Sequence, residues 1–136
     1  MGEFLIGFSL LWISMNSLRG LQMGLKHESH GERLFNLMKE NKLGEYEKTR
    51  NDWQWKSAVH AHGVLLSLVT LVIGMLIPQI VGSDVYIIVM CILLMVSPVI
   101  WSIFGWWFFK PILGMGDFCF VIGIFMGAFG FIRGVI

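Results

Sequence analysis

Two histidines, His60 and His62, stand at the head of the second apolar stretch of this chain, in Val59-His60-Ala61-His62-Gly63. An imidazole in such a place can ligate a metal or a haem iron, carry a proton, or simply hydrogen-bond to a neighbouring helix. Residues two apart on a helix are turned about 200° from one another, so an unbroken helix presents only one of them to a given site. Along the same segment His60, Gly63, Ser67, Thr70 and Gly74 are separated by 3, 4, 3 and 4 residues. They form a narrow stripe of small and hydroxyl residues, suited to close approach of another membrane helix. His60 tops that stripe. Leu66, Val69 and Ile73 are bulky positions suited to lipid or to a subunit contact, and His62 points away from the stripe.

Three other groups could join a histidine. Arg19 lies about two turns from the end of the first apolar run, where it can snorkel to the headgroups or bind an anion such as a cofactor carboxylate. Asp117, in Gly114-Met115-Gly116-Asp117-Phe118, opens the last apolar run, as a helix cap or as an acceptor that orients a histidine. Trp106 and Trp107 belong to an aromatic cluster closed by Lys110, which is either an interfacial girdle or a wall around a flat ligand. Other chemistries find little support. No acid–base set surrounds a serine or cysteine, and no converging ligands suggest zinc. His27 and His30, at i and i+3, read as surface histidines of a solvated stretch. Cys91 and Cys119 lie in apolar segments without a Cys-x-x-Cys pair and read as small buried hydrophobes.

Composition supplies the frame that must position these groups. Of 136 residues, 56% are hydrophobic and only 14% charged, with a mean hydropathy of +0.72. A polar surface cannot cover such a chain, so it reads as one integral membrane domain. A net charge of +1 argues against nucleic acid as a partner. Four spans are expected, at about 4–25, 56–80, 85–109 and 111–136, making an all-α four-helix bundle in the lipid bilayer. The first reads as a retained helix rather than a cleaved signal peptide. Residues 26–55 form a polar loop in which Leu34, Phe35, Leu37 and Met38 suggest an amphipathic interfacial helix ended near Gly44, followed by a headgroup belt at Trp53 and Trp55. Pro98 is expected to kink the third span. Gly123, Gly127, Gly130 and Gly134 make a small-residue seam in the fourth, for contact within the bundle or between subunits. Most of the Lys and Arg residues fall in the 26–55 loop and beside it, so the positive-inside rule places that loop in the cytoplasm.

This topology brings Arg19, His60, His62, Asp117, Trp106 and Trp107 to similar depth. Such a group suits haem b: an imidazole bonds iron, Gly63 and Ser67 leave room for the macrocycle, aromatics pack on it and a basic residue pairs with a propionate. The alternative for His60 is a hydrogen bond to a neighbouring helix.

At this point the chain resembles the styrene oxide isomerases, small four-span membrane enzymes. The likeness covers the overall plan, with Val59-His60-Ala61-His62-Gly63 resembling the family's histidine-glycine opening of the second helix. Gly114-Met115-Gly116-Asp117-Phe118 is similar to the glycine-aspartate start of its last helix. The resemblance implies a homotrimer in a bacterial or archaeal cell membrane with haem b at the subunit interface. It implies His60 as the iron ligand, or His62 if the register slips by two. It also implies isomerisation of an apolar epoxide to an aldehyde, with ferric haem as Lewis acid. The family's asparagine is matched here by Leu66 or Leu68, and its tyrosine falls among Trp106, Trp107 and Phe108. A non-catalytic, haem-carrying subunit of a larger membrane redox complex is the second expectation. A four-span exporter is not expected, because no acidic residue lies deep in a span.

Overall fold

The computed structural model describes residues 1–107 and 110–136. Among them the chain is helical, without strands, in the order α1 (Gly2–Leu25), α2 (His27–Lys39), α3 (Leu43–Leu76), a short 3-10 turn at Ile77–Gln79, α4 (Asp84–Phe104) and α5 (Lys110–Val135). α1, α3, α4 and α5 are each long and apolar enough to cross a membrane, which fits an integral membrane protein. Phe108 and Phe109, at the expected end of the third span, lie outside the described residues, as does the Lys110 side chain.

Antiparallel pairs α1–α3 and α4–α5 are joined through α3 and α4. Small residues explain both pairs. Gly74 of α3 receives Leu5 and Ile6 of α1, while Gly2 of α1 lies against the Gly74 carbonyl. In α5, Gly116 meets Ile100, Gly123 meets Leu93 and Leu94, and Gly127 meets Ile73 and Met90. The α5 seam thus packs inside the chain, and the Val81 amide anchors it by donating to the Gly130 carbonyl at 3.0 Å. The small stripe of α3 is buried as its spacing implied. Leu66 and Ile73 are also buried, at 7% and 9% exposure, which corrects their assignment to lipid or a subunit contact. α4 and α5 cover that flank; the outer face is carried instead by Leu65, Leu68, Val72 and Met75.

Pro98, inside α4, has no N–H to give the Leu94 carbonyl. In lipid an orphaned carbonyl needs another donor. The buried Thr70 hydroxyl reaches it at 3.4 Å while also bonding Leu66 at 2.8 Å, so the proline ties α4 to α3.

The polar segment is more ordered than a loop. α2 ends in a Schellman motif: Asn41 adopts φ 56°, and the Lys42 amide donates to the Leu37 carbonyl at 2.9 Å. Gly44, the expected stop, is helical within α3. With 34 residues α3 is about 51 Å long, against about 30 Å of hydrocarbon, so it extends well beyond a bilayer core. α2 folds back on this extension, and His30 stacks on Trp53 with centroids 4.1 Å apart.

Two outcomes test these contacts. Thr70→Val is expected to cost about 0.5–1 kcal/mol in reversible unfolding, and less in a Pro98→Ala background, where residue 98 regains a donor for Leu94. Burial, then the charges of His27 and Arg33, holds the His30 imidazole below its usual 6.5. The folded chain favours the neutral ring, so this contribution is complete above about pH 6.5 and is lost as pH falls below it. Amide exchange in α2, corrected for intrinsic rates, should quicken between about pH 7.5 and pH 5.5, and His30→Phe should remove that dependence.

Candidate functional site

Polar residues gather into two clusters on opposite sides of α3. The inner one lies where α1, α3 and α4 meet. Trp12, Asn16 and Arg19 are spaced 4 and 3 apart on α1 and face Ser102, one turn after Pro98 on α4. Trp12 donates its indole N–H to the Pro98 carbonyl at 3.0 Å and the Ser102 hydroxyl at 2.9 Å. The Asn16 amide donates to the Trp12 carbonyl at 2.9 Å and to Ser102 Oγ at 3.1 Å, and Ser102 donates back to Asn16 Oδ1 at 3.2 Å. One donor and two acceptor positions exhaust a hydroxyl, so Ser102 is fully used. Asn16 is only 2% exposed, and Gly63 makes its place: a Cβ there would stand 2.7 Å from Asn16 Oδ1.

Arg19 donates to the Ser102 carbonyl, and its guanidinium lies 5.6 Å from the Trp106 ring centroid. Lys56 Nζ lies 5.8 Å from the same centroid. His60 joins this side, but its Cε1–Nε2 edge rests against Gly20, where a Cβ would come within 2.6 Å of both atoms. The buried Nδ1 has no hydrogen-bond partner among the described residues. Ser67, fully buried, gives its hydroxyl to the Gly63 carbonyl at 2.7 Å and so serves its own helix.

The outer cluster holds His62, Trp101 and Asp117. His62 is exposed, and its Nδ1 lies 3.0 Å from the Ala58 carbonyl. A carbonyl only accepts, so Nδ1 carries a proton, and in the neutral ring Nε2 keeps the lone pair. The imidazole stacks on Trp101, 4.3 Å between centroids at 14°. Trp101 donates its indole N–H to Asp117 Oδ1 at 2.6 Å. Asp117 lies seven residues into α5, so it is not a cap, and it reaches the histidine through a tryptophan rather than directly.

The six residues expected together are therefore divided. Arg19, His60 and Trp106 share the inner cluster with Gly63. His62 and Asp117 share the outer one. Trp107 is 78% exposed and belongs to neither. Asn16, Trp12, Ser102, Gly20 and Trp101 were not identifiable as members of these clusters; the only local signal was that Asn16 and Arg19, three apart, share one face of α1. Among the described residues no three His, Cys, Asp or Glu side chains converge on a metal position. A haem asks less, since one axial imidazole can hold the iron.

Gly20→Ala is expected to destabilise the protein by about 1–3 kcal/mol, because the methyl group overpacks against His60. His60→Ala removes the obstacle, so the double variant should lose less stability than the sum of the singles in reversible unfolding. No protein-family model, no curated protein and no solved structure matches this chain.

Proposed function

We propose that this protein is an integral membrane four-helix bundle that binds haem b through His62 and isomerises a small apolar epoxide to an aldehyde. The observation that carries the cofactor is the state of the His62 ring. Its Nδ1 lies 3.0 Å from the Ala58 carbonyl and the residue is exposed, which leaves Nε2 of the neutral ring to bond the iron. Metal-ligating histidines commonly have their second nitrogen fixed in this way. His60 fits the role poorly, because Gly20 closes the edge that carries Nε2. The ligand role therefore moves to the second histidine of the motif.

Bound ferric haem supplies a Lewis acid for the epoxide oxygen. The chain's own residues prepare the ligand: Ala58 selects the imidazole tautomer, the Trp101 face fixes the ring plane, and Asp117 anchors Trp101. The conversion is redox-neutral, since one C–O bond breaks, a hydride moves to the neighbouring carbon and no electron leaves. His62 faces outward, so a second copy of the chain completes the pocket, in a homotrimer by resemblance to the styrene oxide isomerases. Arg19 and Trp106 belong to the inner junction in this arrangement and support the site through α3 and α4. The excess of Lys and Arg in residues 26–56 supports a cytoplasmic position for that segment, and a bacterial or archaeal cell follows from the resemblance alone. By the resemblance, Leu66 or Leu68 stands where the styrene oxide isomerases carry asparagine, and neither side chain can hydrogen-bond an oxygen. That replacement favours, as the second reading, a non-catalytic haem-carrying subunit of a membrane redox complex.

The absorption spectrum of the purified protein tests the cofactor. A Soret band is expected that falls more than about tenfold in His62→Ala and persists in His60→Ala. Absence of pigment after expression with sufficient haem would overturn both readings. Incubation with styrene oxide and no reductant then separates them: phenylacetaldehyde marks the isomerase, and a haem-loaded but inactive protein marks the subunit.

A further inference from the structure

Beside the inner cluster, with which it shares Lys56, α2 and the polar extension of α3 line an open cleft of about 620 Å³, within the ~300–1,000 Å³ usual for ligand sites. Four cations line it: Lys26 and Arg33 from the α1–α2 side, Lys48 and Lys56 from α3. Only two carboxylates, Glu45 and Asp52, share the lining. Among the described residues the one ion pair is Lys42–Glu40, at 2.7 Å and outside the cleft, so the cleft's cations have no carboxylate within pairing distance. Convergence of unpaired like charges is unfavourable and is relieved by a bound anion. The Ser29 and Thr49 hydroxyls add neutral donors, and the stacked His30–Trp53 pair forms a flat wall.

Position in the chain narrows the ligand. Lys26 directly follows α1, a helix apolar enough to cross a membrane, and Lys56 stands where α3 turns apolar. The cleft therefore sits at the rim of the apolar helices, where headgroup phosphates lie and where Trp residues are favoured. We infer that this cleft binds a phosphate-bearing anion, either the headgroup of an anionic phospholipid or free phosphate. The low affinity of the His30 ring for a proton agrees with a positive, partly desolvated surround. A lipid source would tie α2 to the membrane surface and fix the entry angle of α3.

Native mass spectrometry of the full chain in neutral detergent tests this, with phosphatidylglycerol, phosphatidylcholine and inorganic phosphate as probes. Retention of phosphatidylglycerol over phosphatidylcholine is expected, falling about tenfold in Arg33→Gln/Lys48→Gln. Lys39→Gln/Arg50→Gln changes the charge equally outside the cleft and should retain the lipid as the parent does. If inorganic phosphate raises the melting temperature, the effect is lost in the cleft variant and the two lipids bind alike, the ligand is free phosphate. Circular dichroism showing unchanged helix content in both variants keeps the comparison valid. Equal retention of both lipids without a phosphate effect overturns the inference, as does binding that survives in the cleft variant or is lost equally in the control.

Discussion

The fold depends on the satisfaction of a few polar groups where α1, α3 and α4 meet. Asn16 is almost wholly buried, and its amide is accommodated because Gly63 has no side chain and Ser102 can both give and accept. In an apolar medium an unpaired amide or hydroxyl costs several kcal/mol, so such a junction favours this relative register of the three helices. Apolar packing alone would leave several registers close in energy. The proline of α4 works in the same way, since the carbonyl it orphans finds the Thr70 hydroxyl on α3. Hydrophobicity places these helices together; a handful of hydrogen bonds decides how.

The same junction separates the two histidines. His60 is drawn to the side where α1 closes on α3, and Gly20 covers its Nε2 edge. His62 is turned to the far side, where Trp101 provides a surface and Asp117 steadies Trp101. One imidazole is thereby half-buried with its Nε2 edge closed by α1, and the other stays exposed. The two histidines of one helix meet different neighbours, because a two-residue step turns the side chain through more than half a circle.

Much of this was legible in the residues themselves. The stripe from His60 to Gly74 packs as its 3-and-4 spacing implied, and the glycine seam of α5 meets α3 and α4 as small residues in membrane helices should. Less legible was the fate of bulky residues: Leu66 and Ile73 are as apolar in the core as they would be in lipid, so hydropathy could not separate the two. The polar segment misled for a related reason. Its composition resembles a loop, but Asn41 supplies a left-handed stop that a glycine elsewhere was expected to provide, and α3 begins more than three turns before the expected span does. Asn16 gave almost no signal, since an asparagine in a span acquires meaning only from what faces it.

By itself the sequence determined the all-helical class, the four helices apolar enough for a membrane, and the opposition of His60 and His62. Those follow from composition and from the helical period, which are properties of a segment alone. The tertiary structure decided that Asn16 meets Ser102 over Gly63, that Asp117 holds Trp101 rather than a histidine, and that Gly20 closes the Nε2 edge of His60 while Trp101 stacks on the exposed His62. Each of these joins residues from different helices, with as many as 90 positions between Trp12 and Ser102. Such pairings depend on the rotation and depth of one helix against another, and no local pattern encodes either.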